Sequence, residues 1–299
     1  NYFKKCISWN LISSSNFGVR CYPKGMIFDV AAHSLFCNDD LYYYFAGLLN
    51  SKVVRKIVDV LNPTLNMSSG VVGMIPVKVD KNNIDTINLT VKNNIELSKE
   101  EWNSFETSQD FLTHPLVKNK NEILNNTAKC NYLIKDMYIF WDNSCEKRKK
   151  ILEQNEVELN KLFISIYGLD DELTPDITNK DITIRLADKE RDIKSLISYA
   201  VGCMFGRYSL DKDGLIYAGG DFDKVYQKCK KTDGGWAGSS LSNYKYLNDN
   251  ENEIELSFEV DNDNIIPITD EAYFSDDIVE RFKTFIKTVY GDNTFNENM

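Results

Sequence analysis

The chain has 299 residues, of which 42% are hydrophobic, and a net charge of −10 at neutral pH. That length can bury one large core or two moderate ones, and the charge argues against indiscriminate binding of nucleic acid. Residues 1–80 nevertheless carry eight Lys/Arg against five Asp, a balance of +3, whereas residues 245–299 carry fourteen Asp/Glu against four Lys/Arg, a balance of −10. The N-terminal part is therefore the region where a phosphate backbone would dock.

Seven cysteines without a Cys-x-x-Cys pair accompany only two histidines, His33 and His114. This set predicts neither a disulfide framework nor a zinc site, and it is typical of a reducing cytoplasm. No apolar stretch approaches the roughly 20 residues of a membrane span, so we expect no membrane contact. The first residues lack signal-peptide order and an initiator Met, and we expect a piece of a longer protein.

The first 80 residues predict a lobe that contains β structure. A hairpin is expected from Phe17–Tyr22 and Met26–Val30, which flank a turn. Apolar residues at helical spacing predict one helix over roughly 39–61, which ends at Asn62 because Pro63 follows. A strand is expected over Val71–Val79.

Residues 80–95 are polar and expected to be extended, and a capping box at Ser98–Glu101 predicts a helix to about Asp110. A helical stripe covers roughly Asn131–Tyr167, which corresponds to a rod of about 50 Å. The last third predicts mixed structure, with helices over Asp188–Arg207 and about Asp276–Tyr290 and strands over Glu253–Val260 and Ile265–Ile268.

These elements predict an α+β fold: a mixed β lobe with packed helices, a long spacer helix, and a second mixed α/β lobe. The expected domains are the basic lobe at 1–80, a connector at 81–130, the long spacer helix at 131–175, and the C-terminal mixed lobe at 176–299.

Asn62-Pro63 raises the question of a catalytic loop, because Asn-Pro-Pro-Tyr is the motif that holds an exocyclic amine for methylation. Thr64 and Leu65 follow here in place of Pro and Tyr. No glycine-rich strand-to-helix turn that could hold S-adenosylmethionine precedes the pair. We therefore interpret Asn62-Pro63 as a helix stop.

The other candidates for chemistry are also interpreted as structural. Asp211-Lys212-Asp213-Gly214 begins like a calcium loop but lacks the remaining ligands, and it predicts a plain turn. Cys21 and Cys37 with His33 suggest a Cys–His pair, yet cysteines in strand-like segments are more often core residues. No catalytic residue, metal or cofactor is predicted within this chain.

What remains is a recognition surface in residues 1–80. Lys, Arg and Ser bind phosphates, and Arg and Asn read bases. The candidate DNA contacts are the cations and small polar residues of this lobe: Ser14, Asn16, Arg20, Lys24, Lys52, Arg55, Lys56, Ser68 and Ser69. The plain alternative is an ordinary amphipathic surface.

Several segments of the chain resemble one family, the PglX adenine-specific DNA methyltransferases of BREX phage-defence systems, which are related to fused restriction–modification methyltransferases. The similar segments cover most of the chain: Phe17–Asp29, Gly47–Lys52, Leu61–Asn66, Ile75-Pro76-Val77, Trp102–Phe111, Ile164–Thr174 and Ser198–Tyr208.

The resemblance implies an internal, post-catalytic portion of such an enzyme, with the catalytic half upstream. The parent is then expected to be a site-specific adenine DNA methyltransferase that uses S-adenosylmethionine. The 1–80 lobe would be its target-recognition module, and the Ser68–Gly73 loop would face either double-stranded DNA or the methyltransferase domain.

Other BREX proteins or phage inhibitors are further partners that the resemblance implies. Two alternatives stay open: a protein-interaction scaffold of the defence complex, and a stand-alone specificity subunit.

Overall fold

A computed structural model describes residues 1–118, 133–179, 181–228, 231–232, 235–236, 244–247, 253–261, 263–271 and 273–299. The chain forms two compact units: unit 1 comprises Asn1–Lys99 and Lys147–Ile184, and unit 2 comprises Glu100–Glu146 and Arg185–Met299. Helices and small antiparallel sheets occupy separate stretches of sequence, so the predicted α+β class is confirmed. The predicted four-segment division stays a prediction.

The sheet of unit 1 is built around a buried central strand. It contains β1 (Cys6–Asn10), β2 (Arg20–Tyr22) and β3 (Ala32–Leu35) in the antiparallel order β2-β1-β3. Because β1 is buried, both of its edges need a partner, and β2 and β3 fill one edge each. The predicted hairpin between Phe17–Tyr22 and Met26–Val30 is therefore wrong.

Two helices follow the sheet, α1 (Asp39–Asn50) and α2 (Lys52–Leu61). They meet at Ser51, whose backbone is extended and whose hydroxyl donates to the Leu48 carbonyl over 2.7 Å. The same hydroxyl accepts a hydrogen bond from the Val54 amide over 3.4 Å, so it caps the second helix. The single predicted helix over 39–61 is wrong at Ser51, but its predicted end at Asn62 is confirmed.

Helix α3 (Ser69–Gly73) occupies part of the segment predicted as a strand over Val71–Val79, and that prediction is wrong. The Ser68 hydroxyl accepts a hydrogen bond from the Val71 amide over 3.4 Å and thereby starts a helical turn.

Helix α4 (Ile84–Trp102) replaces the predicted extended segment at 80–95 and the helix expected from Ser98 to Asp110. Ile87 and Val91 are buried one turn apart, a helical spacing that the surrounding polar residues obscure. Gly47 of α1 permits close approach, because a Cβ atom there would lie 2.8 Å from Val91 Cγ2.

Helix α5 (Ile134–Tyr167) confirms the predicted long helix, apart from residues 131–132, which lie outside the described part of the chain. Leu159 and Phe163 belong to the core of unit 1, whereas Met137 and Trp141 belong to the core of unit 2. Its role as a spacer stays a prediction.

Unit 2 adds the following elements: α6 (Lys189–Met204), a 3₁₀ turn (Phe222–Lys224), β4 (Tyr226–Lys228), β5 (Lys231–Thr232), β6 (Gly235–Trp236), β7 (Tyr244–Leu247), β8 (Glu253–Glu255), α7 (Ile278–Tyr290), a second 3₁₀ turn (Asp292–Thr294) and α8 (Phe295–Asn298). β4, β7 and β8 form an antiparallel sheet in the order β4-β7-β8, and β5 pairs with β6. Tyr199 and Phe285 lie in its main core.

The two helices predicted in the last third are confirmed with slightly shorter bounds, and Asp188 and Asp277 cap them. The predicted strand over Glu253–Val260 is wrong beyond Glu255. The strand over Ile265–Ile268 is also wrong, because the buried Asp261 carboxylate accepts the Ile265 amide hydrogen over 3.1 Å and keeps that amide from joining a sheet. Among the described helices, none combines the length and apolar character needed to cross a bilayer.

Candidate nucleic-acid interface

Two loops of unit 1 lie side by side and carry four of the predicted DNA contacts. Residues 11–16 follow β1 and residues 62–69 follow α2, and we call these segments the paired loops. Ile12 lies opposite Asn66 in an antiparallel bridge. The predicted residues that this pairing brings onto neighbouring segments are Ser14, Asn16, Ser68 and Ser69.

Hydrogen bonds fasten the paired loops to each other and to the sheet. The Ser13 amide donates to the Leu65 carbonyl over 3.2 Å, and the Met67 amide donates to the Leu11 carbonyl over 2.6 Å. The buried indole of Trp9 also donates to the Met67 carbonyl over 2.9 Å. The loops are thus anchored on the core strand β1, which is the condition for a surface of defined shape.

Asn62 closes the second of the paired loops with its side chain. Its amide nitrogen donates to the Asn66 carbonyl over 2.6 Å, and its amide oxygen accepts the Thr64 hydroxyl over 2.7 Å. The Thr64 amide also donates to that oxygen over 3.4 Å. These local bonds occupy the side-chain amide of Asn62. That side chain therefore shapes the loop after α2, as the helix-stop interpretation requires.

Within the paired loops, the polar side chains differ in availability. Ser14, Asn16 and Ser69 are exposed. The hydroxyl of the half-buried Ser68 caps α3. The first three therefore offer donors and acceptors to a ligand, whereas Ser68 has a structural role.

Arg20 is exposed on the edge strand β2, opposite Ser8 of β1. The segment before it is positioned by Asn50 of α1, whose amide oxygen accepts the Val19 amide hydrogen over 2.8 Å. The Asn50 amide nitrogen donates to the Val19 carbonyl over 3.1 Å. The Asn50-Ser51 end of α1 thus holds the residue that leads into β2.

Lys24 lies beyond the other end of β2, in a turn whose Gly25 amide donates to the Phe3 carbonyl over 3.0 Å. Lys5 forms an ion pair with Asp39 over 2.5 Å. The pKa of Asp39 is lowered first by the Lys5 hydrogen bond and charge and also by the nearby charge of Lys24. The charge of Lys24 thus acts on the neighbouring acid Asp39.

The cations of α2 are unequal. Lys56 is exposed and Lys52 is half-buried, but the half-buried Arg55 forms an ion pair with Asp181, which is also half-buried, within unit 1. The pKa of Asp181 is lowered although burial opposes this, because Thr178 donates through its amide and hydroxyl, each over 2.8 Å, and Arg55 adds its charge. Arg55 is therefore the predicted contact least available to a phosphate.

A buried carboxyl group extends this interior arrangement. Burial raises the pKa of Glu156, and the charge of Arg55 and a 2.9 Å hydrogen bond from Asn94 partly offset that rise. We call Arg55, Asp181, Glu156 and Asn94 the Arg55 network. Residue type alone predicts that Arg55 contacts DNA, but its ion pair with Asp181 makes it part of the packing of unit 1.

The candidates for nucleophilic chemistry are not assembled into a site. His33 stacks on Trp9 with ring centroids 6.1 Å apart, whereas Cys21 pairs across the other edge of β1, opposite Ile7. Burial raises the pKa of the Cys21 and Cys37 thiols, which disfavours the reactive thiolate. Among the residues that the structure describes, no cluster of His, Cys, Asp or Glu suits a metal ion.

The loop that begins like a calcium site is a turn held by its own carboxylates. Asp211 accepts the Ser257 amide hydrogen over 2.8 Å, and Asp213 accepts the Thr113 hydroxyl. The Gly214 amide donates to the Leu112 carbonyl over 2.8 Å. These bonds give each acid a structural partner, in agreement with the plain-turn interpretation.

Sequence reasoning missed one feature of unit 2. Two shallow depressions of about 480 and 470 Å³ share Phe205 and Arg207. Ser198 lines the second depression and donates its hydroxyl to Glu106 over 2.6 Å. The sequence signal that could have indicated these depressions is the Ser198–Tyr208 segment, which is one of the segments that resemble the family.

The chain matches no protein-family model. It is 36% identical over 300 residues to the adenine-specific methyltransferase PglX of Lacticaseibacillus casei (strain Zhang), a match that covers 99% of this chain and 22% of that protein. It is 32% identical over 318 residues to the adenine-specific methyltransferase BrxX of Escherichia coli O9:H4 (strain HS), covering 100% of this chain and 23% of that protein. The chain thus spans less than a quarter of the length of these relatives.

Proposed function

The chain is a PglX-like sequence related to BREX methyltransferases, and on that premise we propose that it is the DNA target-recognition and spacer region of a site-specific adenine DNA methyltransferase in phage defence. Residues 1–80 would form the recognition lobe, and the helix within 131–175 would set its spacing from other modules. Methyl transfer, with S-adenosylmethionine as donor, would belong to other parts of the parent protein.

The cofactor proposal concerns the parent, because the described residues of unit 1 lack the turn that holds S-adenosylmethionine. Such a donor is held where a glycine-rich turn joins a strand to the N-terminus of a helix. In the described ranges, the strands of unit 1 lead into loops without that turn, and α3 begins at Ser69 after a loop. No step of the transfer is therefore assigned to these residues.

One observation supports the DNA proposal: the Ile12–Asn66 bridge joins the two loops that carry the exposed Ser14, Asn16 and Ser69 in the basic part of the chain. Hydroxyl and amide groups can contact phosphates and base edges, whereas cations supply the salt-dependent attraction. Arg20 and Lys56 are the exposed cations best suited to that role, since Arg55 is paired with Asp181.

Fluorescence anisotropy with a labelled 30-base-pair duplex of mixed sequence at low salt tests the proposal. We expect binding that weakens as salt rises, and we expect Arg20→Glu to reduce affinity about tenfold, because it removes an attraction and adds a repulsion. Lys161→Glu is the control, since Lys161 is an exposed cation of α5 far along the chain from the paired loops. Absence of duplex binding by the wild-type chain, or equal effects of the two reversals, would overturn this assignment.

A second candidate function, a protein-interaction scaffold for other BREX proteins or a phage inhibitor, is favoured by one surface of unit 2. Residues 263–276 contain four acids and no Lys or Arg. Within that segment Ile265, Ile268 and Tyr273 are each at least two-thirds exposed. Such a surface repels phosphate and suits a protein with a basic, apolar groove. Co-purification with BREX proteins tests it: Ile268→Asp should reduce recovery, and unchanged recovery would count against the idea.

A further inference from the structure

Two large aliphatic side chains project from the paired loops into solvent. Leu65 is 63% exposed and Ile12 is 65% exposed. They belong to the two segments joined by the Ile12–Asn66 bridge and the Ser13–Leu65 backbone hydrogen bond. Scattered apolar side chains are ordinary on a protein surface, so exposure alone proves nothing.

The local construction makes Leu65 different from a casual surface residue. The Asn62 side chain binds both Thr64 and Asn66, and therefore brackets Leu65 from both sides. The Leu65 carbonyl is itself tied to the neighbouring loop. A network of polar bonds thus holds an apolar side chain out in water at the tip of an anchored loop.

The surroundings of this pair suit DNA better than a protein partner. The exposed neighbours along the two loops are hydroxyl and amide residues, Ser14, Asn16 and Asn66. Two aliphatic side chains amid polar groups are far too small for a stable protein interface, which buries roughly 800 Å² on each partner. Apolar residues of this kind do insert between base pairs when polar neighbours hold the backbone.

We propose that Leu65, supported by Ile12, is an apolar wedge that enters the base stack of bound DNA and stabilises a duplex from which one base has been extruded. This inference rests on the proposed DNA-recognition function and deepens it. A methyltransferase that acts on a base must bring that base out of the helix, and the vacated position costs stacking energy. A side chain that fills the gap lowers that cost without touching the reacting atoms, so Leu65 is a positioning residue.

The test compares two 30-base-pair duplexes that differ at one position, where one carries a base and the other a tetrahydrofuran abasic site. The abasic duplex has already lost the stacking that the wedge replaces. We expect the 299-residue chain to bind the abasic duplex about tenfold more tightly, a difference typical of one unstacked position. We expect Leu65→Ala to bind both duplexes within about twofold of each other.

Leu89→Ala is the matched control, because Leu89 is the same residue type, 70% exposed, on α4 of the same unit. It should keep the abasic preference, as should Leu65→Phe, which retains a wedge. Far-UV circular dichroism checks that each variant is folded. Equal affinity of the wild type for both duplexes, or an abasic preference that survives Leu65→Ala, overturns the wedge while leaving DNA recognition intact. Failure to bind either duplex overturns the proposed function itself.

Discussion

The paired loops expose their polar side chains, whereas the Arg55 network pairs its polar side chains with one another. The paired loops leave Ser14, Asn16 and Ser69 exposed above an anchored backbone. The Arg55 network encloses its polar groups and pairs its guanidinium with a carboxylate. The difference teaches that a polar side chain is available to a ligand only where tertiary structure leaves it exposed and without an internal partner.

The largest expected effect comes from breaking the Arg55 network. Arg55→Ala should lower the free energy of unfolding by about 3 kcal/mol, because it leaves Asp181 in a mostly buried position without its cation. Urea denaturation measures this change, with Lys56→Ala, the exposed neighbour, expected to stay within about 0.5 kcal/mol. The folded fraction of Arg55→Ala should keep its affinity for DNA. An equal effect of both substitutions would erase the contrast between the two regions.

The two acids of the Arg55 network should respond to substitution with opposite signs. The pKa of Asp181 is lowered in the folded protein, so its carboxylate stabilises the fold at neutral pH, and that contribution is lost as pH falls through the folded pKa. Asp181→Asn should therefore cost about 2 kcal/mol at neutral pH, and that cost should shrink as pH falls below about 4, the ordinary pKa of Asp.

Glu156 is the internal counterpart, because its pKa is raised by burial. Its contribution to stability is present at low pH and is lost as pH rises through the folded pKa. Glu156→Gln should then be neutral or stabilising at neutral pH, as judged by urea denaturation of both variants across the pH range. A loss of stability as large as that of Asp181→Asn would show that the assigned pKa directions are wrong.

A smaller loss of stability than that of Asp181→Asn is expected in the paired loops. Asn62→Ala removes the bracket around Leu65 and should cost about 1 kcal/mol, because the freed backbone groups at the exposed loop can bind water instead. We nevertheless expect it to abolish most of the abasic preference, since the wedge would no longer be held in place. Hydrogen exchange at Asn66 and Met67, compared with that of the β1 amides, reports whether only the loop has loosened.

Local signals in the sequence predicted some elements well. Pro63 ended α2 at the predicted position, and the long helix and the last helix were predicted close to their observed bounds. The break between α1 and α2 at Ser51 was not predicted, because a single serine within a helical pattern of apolar residues is a weak signal. Its capping bond to the Val54 amide is visible only in the folded structure. Helix α4 was missed because Asn-rich sequence concealed the spacing of Ile87 and Val91.

The candidate interface was only partly predictable. The exposed residues Ser14, Asn16, Arg20 and Ser69 were all named from their chemistry. Nothing in the local sequence distinguishes Arg20 from Arg55, because the partner of Arg55 lies 126 residues away. The contact of Ile12 with Asn66, which creates the paired loops, is likewise invisible to any pattern read along one segment.

The sequence by itself determined the α+β class, the helix caps and stops, the uneven distribution of charge, and the kinship with adenine-specific methyltransferases. These depend on residue type and on bonds between near neighbours, which form wherever the chain permits them. Only the tertiary structure decided which cations remain exposed, which loops meet, and how Leu65 is held in solvent. Those outcomes require contacts between distant segments, whose formation depends on how the whole core packs.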